Sequence, residues 1–91
     1  MKLRYRAVAK LDIQEAREWY GAHSLALEER FAGALAGSLT AIIEHPLAYQ
    51  EVEPGIRRAL VRTFPYLVYY TPEADRVVVL AVLHGKRHPD S

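Results

Sequence analysis

Seven consecutive apolar residues, Val77 through Leu83, constrain the fold of this chain most. The run is far shorter than the ~20 residues a membrane helix needs, and it is rich in valine. It reads as a strand that cannot leave both faces in water. Such a strand belongs inside a sheet, buried on one face by helices and partly covered on the other. The rest of the chain must then supply a helical layer and flanking strands.

The helical layer is legible. Asp12 and Glu15 have the spacing of a capping box, so a first helix is expected to open at Asp12. Ile13, Ala16 and Tyr20 share one face of it, Trp19 lies beside them, and Gly21 is the expected stop. Ser24 is the expected cap of a second helix. Its stripe runs through Leu27, Phe31, Leu35, Leu39 and Ile42 or Ile43, and Pro46 ends it at Glu44 or His45. The small residues Ala32, Gly33, Ala34, Ala36 and Gly37 are expected to let the first helix approach closely, at some cost in helix propensity. Only a few residues separate the two helices, so they form an antiparallel hairpin.

The strands follow from period-two patterns. Leu3, Tyr5 and Ala7 alternate with Arg4, Arg6 and Val8, which predicts a half-buried first strand. Residues 46–56 contain Pro46, Pro54 and Gly55 and read as a loop. From Arg57 to Phe64, Arg58, Leu60, Arg62 and Phe64 alternate with Ala59 and Val61. Pro65 interrupts that strand, Tyr66 to Tyr70 is the next, and Thr71 to Asp75 is a hairpin loop before the apolar run. The expected fold is one α+β domain over residues 1–91. Its order is β-α-α-β-β-β, a helical hairpin on a mainly antiparallel four-stranded sheet.

A chain of 91 residues can bury one core, and 51% hydrophobic residues argue against disorder. The N-terminal residues alternate charged and apolar, without the apolar segment of a signal peptide, so a cytoplasmic location is expected. There is no cysteine, which removes disulfides and thiolate sites. Net charge is only +1 but unevenly spread. Residues 1–10 carry Lys2, Arg4, Arg6 and Lys10 with no acid, whereas eight of the eleven acids fall in residues 11–54. Strand segments are thus basic and helical segments acidic. An exposed sheet face would be electropositive and suited to an acidic partner or nucleic acid, or would simply be a solubilising surface.

Most enzyme chemistries lack their residues. His84 and His88 are four apart, but Gly85 and Pro89 argue against the helix that would bring them together, so no metal site or other cofactor is expected. No glycine-rich phosphate loop is present, and the three serines fall at a cap, within a helix and at the terminus. Tyr66, Tyr69 and Tyr70 could stack on bases, although strand-face packing is their commoner role. What remains is a set of cations, Arg57, Arg58, Arg62, Lys86 and Arg87, with His84 nearby. Clustered arginines suit carboxylate or phosphate recognition.

Several segments, in this order and spacing, resemble the RelE/ParE superfamily of type II toxin–antitoxin toxins. They are Asp12-x-x-Glu15-Ala16, Leu27-Glu28-Glu29-Arg30-Phe31, Glu44-His45-Pro46, Gly55-Ile56-Arg57-Arg58, Phe64-Pro65-Tyr66-Leu67-Val68-Tyr69-Tyr70 and Val77 through Arg87. The resemblance spans nearly the whole chain. It implies a helical hairpin on a twisted sheet, and a toxin neutralised by a cognate antitoxin.

The superfamily divides in mechanism. RelE-like members cut mRNA on the ribosome and typically carry an arginine where this chain has Tyr66. They also use a basic residue after the last strand, which Arg87 matches, and many use a tyrosine near the C-terminus, where this chain has none. A nuclease would rest on His84, Arg87 and Arg62, with His84 as acid or base. The Phe64-Pro65-Tyr66 signature resembles the ParE-like branch, described as poisons of DNA gyrase without an agreed catalytic set. That branch implies a binding protein and not an enzyme, meeting its target through Arg57, Arg58, Arg62, Tyr66, His84, Lys86 and Arg87. A member that has lost toxicity and a plain nucleic-acid-binding module are the other readings.

Overall fold

The computed structural model describes residues 1–85. Its elements run β1 (Lys2–Tyr5), α1 (Ala7–Gly21), α2 (Leu25–Glu44), β2 (Glu51–Glu53), β3 (Ile56–Leu60), β4 (Tyr66–Pro72) and β5 (Arg76–His84). The sheet has the order β1-β5-β4-β3-β2. β1 lies parallel to β5, and every other neighbouring pair is antiparallel. The α+β class, the helical hairpin and the three consecutive antiparallel strands are as expected.

The sheet has five strands where four were expected. β2 arises within residues 46–56, because Pro54 and Gly55 make a tight hairpin and not an open loop. Glu53 pairs with Ile56 across it. Gly55 has φ 80°, the left-handed position that a type II turn requires after proline, and its N–H donates to Glu51 Oε2 at 3.0 Å.

The first helix starts five residues before the expected cap. β1 stops at Tyr5, and Arg6 is the extended N-cap, with no side-chain cap bond. The reason is a longer helical stripe. Ala9, Ile13, Ala16 and Tyr20 fall on one face, with Ala9 and Ala16 buried in the core and the other two packed against it. Asp12 therefore sits within the helix and caps nothing. Ser24 does cap α2, its Oγ accepting from Leu27 N–H at 2.9 Å.

Both helices pack on one face of the sheet. α2 contributes Phe31, Leu35, Leu39 and Ile42, which meet Ala59, Val61, Val68, Tyr70, Val77, Val79 and Val82. The two glycines among the small residues of α2 do not serve α1 as expected. A Cβ on Gly33 or Gly37 would meet nothing within 4 Å. Both glycines instead line an open groove of about 770 Å³ with Leu27, Tyr49, Leu60 and Phe64. The close approach of the helices is at Gly21, where a Cβ would fall 2.5 Å from Glu28 Oε1. Glu28 is held there by Arg17 at 3.1 Å.

Candidate functional site

Two irregularities position the side chains at the end of the sheet reached by His84. The first is a bulge in β5. Tyr69 pairs with Ala81 but Tyr70 pairs with Val79, so β5 carries one extra residue. The bulge changes which positions face inward, so that Val77, Val79 and Val82 are all buried. It also leaves the N–H of Val82 pointing beyond the end of β1, where Asp12 Oδ2 accepts it at 3.0 Å. Asp12 thus ties α1 to the last stretch of β5.

The second irregularity is the β3–β4 turn. β3 ends at Leu60, earlier than its alternation suggests. Thr63 takes φ 66°, a strained value for a β-branched residue. The turn breaks the alternation and packs Phe64 against the core, whereas Arg58 lies on the other face of the sheet. Phe64 joins Tyr20 and Phe31 at ring distances of 5.1 and 5.2 Å. Tyr66 completes the cluster, 5.3 Å from Phe31. Burial, and secondarily Tyr66, pushes the Tyr20 hydroxyl above its ordinary range.

Between α1 and the ends of β4 and β5 lies a cleft of about 390 Å³. Asp12, Glu15, Ala16 and Trp19 form one wall, and Tyr66, Val82, Leu83 and His84 form the other. His84 is half-buried, opposite Tyr66 in register, with the rings 5.3 Å apart and nearly perpendicular. The α1 wall was readable from spacing, because residues 12, 15, 16 and 19 lie on one helical face. Reading Asp12 and Glu15 as a cap hid it.

The other expected site residues are dispersed. Arg57 faces the helices, and its guanidinium donates to the carbonyls of Leu47 at 3.3 Å and Tyr49 at 2.7 Å, pinning the chain that leaves α2. Arg58 pairs with Tyr69 on the opposite face of the sheet. Arg62 is exposed in the β3–β4 turn and lines the groove beside α2. Lys86 and Arg87 lie outside the described residues. Tyr66 and His84 are therefore the expected site residues that meet in the cleft. Tyr70 is core, its hydroxyl donating to Pro46 O at 2.6 Å. Among the described residues no three metal-ligating side chains gather, and no helix is long and apolar enough to cross a membrane.

Large apolar side chains remain in water beside the cleft. Val8, Leu11 and Trp19 are each more than half exposed and run along α1 at helical spacing. Leu60 is exposed to the same degree at the groove.

No curated protein sequence matches the chain. A solved structure described as the chromosomal ParDE toxin–antitoxin system from P. aeruginosa shares its fold. That similarity has a TM-score of 0.65 at 14% identity and covers 92% of this chain and 95% of the other. A family model, the ParE toxin of the type II toxin–antitoxin system parDE, matches residues 3–89. That match takes in both helices, the strands from Leu3 of β1 onward and the cleft between α1 and β5, and by it the chain belongs to the ParE toxin family.

Proposed function

We propose that this chain is the growth-inhibiting toxin of its module, that a cognate antitoxin neutralises it, and that its target is DNA gyrase and not mRNA on the ribosome. Membership of the ParE family carries the first part. The exposure of Val8, Leu11 and Trp19 along one side of α1 supports the second, since large apolar side chains left in water on one face suit a surface that a partner covers. An acidic, partly disordered antitoxin segment that folds on binding suits a chain whose first ten residues carry four cations and no acid.

The observation favouring gyrase binding over RNA cleavage is the wall opposite His84. Cleavage by 2′-OH attack needs cations around the phosphate as charge develops on it. His84 instead faces Asp12 and Glu15 across the cleft, and two carboxylates there oppose a phosphate. A binding protein has no such requirement. Arg58, Arg62, Lys86 and Arg87 would meet an acidic target surface, with Arg57 acting through the loop it pins.

The test is induced expression with and without the antitoxin, followed by separate assays of gyrase supercoiling and of mRNA integrity. His84→Ala should keep most of the growth inhibition, whereas the combined Arg58→Ala, Arg62→Ala and Arg87→Ala change should remove it without unfolding the chain. A catalytic histidine would lose ~10²-fold or more from the single change. Degraded mRNA in induced cells, abolished by His84→Ala, would refute the gyrase reading.

A further inference from the structure

We infer that Lys2, Arg4, Arg6 and Lys10 form a ridge that contacts the phosphates of duplex DNA directly. The backbone makes the ridge. β1 is extended from Lys2 to Tyr5, and Arg6 continues it with φ −70° and ψ 154°. Lys2, Arg4 and Arg6 therefore project from one side at a stride of about 6.6–6.8 Å, while Leu3 and Tyr5 on the other side pack against the core. Lys10 follows Arg6 by one helical turn. All four side chains are exposed, and among the described residues β1 is an edge strand with no strand paired beyond it.

The ridge carries no compensating charge of its own. Among the described residues the ion pairs are Arg17–Glu28 and Arg76–Glu73, and neither involves these four cations. Opposite Lys2 and Arg4 in β5 stand Arg76 and Val78. Two acids sit at the Lys2 end, in the turn before β5. Glu73 is taken by Arg76, and the Asp75 carboxylate also acts on Arg76, while its backbone carbonyl accepts the Lys2 N–H. Asp12 points the other way, to Val82.

Two further features select the ligand. The stride is of the order of the through-space separation of neighbouring phosphates on one DNA strand, which exceeds their rise of about 3.4 Å along the axis because the backbone also winds around it. The aromatic ring within the ridge segment, Tyr5, packs against the core and offers no platform for unstacked bases, so the surface suits duplex backbone and not single strands. Charged side chains on an edge strand also deter edge-to-edge pairing. That role would explain Lys2 and Arg4 but not Arg6 and Lys10, which lie beyond the strand.

The inference stands apart from the choice of gyrase as target, because it is tested without gyrase. Anisotropy of a labelled duplex of mixed sequence would be titrated with the purified full-length chain between about 50 and 200 mM salt. Four phosphate contacts give a slope of log affinity on log salt near −3.6, a weakening of roughly a hundredfold over that range. Arg4→Ala with Arg6→Ala should make the slope less negative by about 1.8, and Lys10→Ala alone by about 0.9. Arg17→Ala with Arg30→Ala removes the same net charge elsewhere and should leave the slope unchanged. If the ridge pair fails to fold, the single changes Arg4→Ala and Arg6→Ala carry the test, each expected to move the slope by about 0.9. An equal slope in the ridge variants, an equal loss in the control pair, or tighter binding to a single strand of the same length would overturn the inference. So would self-association of the ridge variants with unchanged DNA affinity, which would mark the cations as edge protection.

Discussion

Asp12→Ala tests the contact on which the cleft depends. In the native chain Asp12 Oδ2 accepts the N–H of Val82 at 3.0 Å, in a partly buried position. A hydrogen bond to a charged acceptor contributes about 1.5–3 kcal/mol, and an orphaned buried N–H costs about 1–3 kcal/mol. The cleft beside Val82 admits water, so the lower part of that range applies, about 1–2 kcal/mol. For a domain of this size each kcal/mol corresponds to roughly 4–8 °C, so the thermal midpoint should fall by about 5–15 °C. Asp12→Asn keeps an acceptor oxygen but loses the charge, and should cost about half as much. Native-state hydrogen exchange gives the sharper readout, because the lost bond is assigned to one amide. Exchange at Val82 should quicken by about tenfold per 1.4 kcal/mol, beyond any global change. If Val82 keeps its full protection in Asp12→Ala, the bulge does not need its clamp and the reasoning fails.

Leu35 is 5% exposed and faces the sheet from the middle of α2, so Leu35→Ala should cost about 2–5 kcal/mol, and an unchanged midpoint in chemical denaturation would refute this. Burial holds the hydroxyls of Tyr5, Tyr20 and Tyr70 above their ordinary value. Their contribution to stability is therefore complete below about pH 10 and is lost as pH rises through the higher folded values. Tyr70→Phe should cost about 0.5–1.5 kcal/mol at neutral pH through the lost bond to Pro46, and should flatten the alkaline decline seen in urea midpoints against pH; an equally steep decline in the variant would exclude Tyr70 as a contributor.

The geometry of the cleft and of the ridge has one origin, the early start of α1. β1 is only four residues long, so it covers β5 no further than Val79. Beyond that point α1 takes over the side of β5 and presents Asp12 to it. Had the strand continued through Val8, a ladder bond would satisfy the edge of β5 and no carboxylate would stand opposite His84. The same early start places Arg6 at a helix N-cap and Lys10 in its first turns, where cations oppose the helix dipole. That local cost is small, about 0.3–1 kcal/mol, yet it is unrelieved because α1 has no acid in its first turn and no side-chain cap.

What could be read from the sequence was what short-range rules determine. The α2 stripe, the Ser24 cap and the strand at Val77 through Leu83 depend on neighbours within a few turns or on composition alone. The start of α1 was misread because residues 3–8 satisfy period two locally, while the period of 3.6 appears only when Ala9 is joined to Ile13, Ala16 and Tyr20. β2 was missed because its three residues, one valine between two glutamates, carry no hydrophobic pattern, and its pairing is fixed by the turn at Pro54 and Gly55. The candidate site was harder still. Its wall depends on a contact between residues 70 positions apart, and its opening depends on a bulge whose extra residue is hidden inside an unbroken apolar run. Neither leaves a periodic trace. A strand such as Val77 through Leu83 tolerates either inward parity, and only the partner strand, Tyr66–Pro72, decides where that parity changes. The sequence therefore names the residues that can form the site, but the long-range register decides which of them face one another.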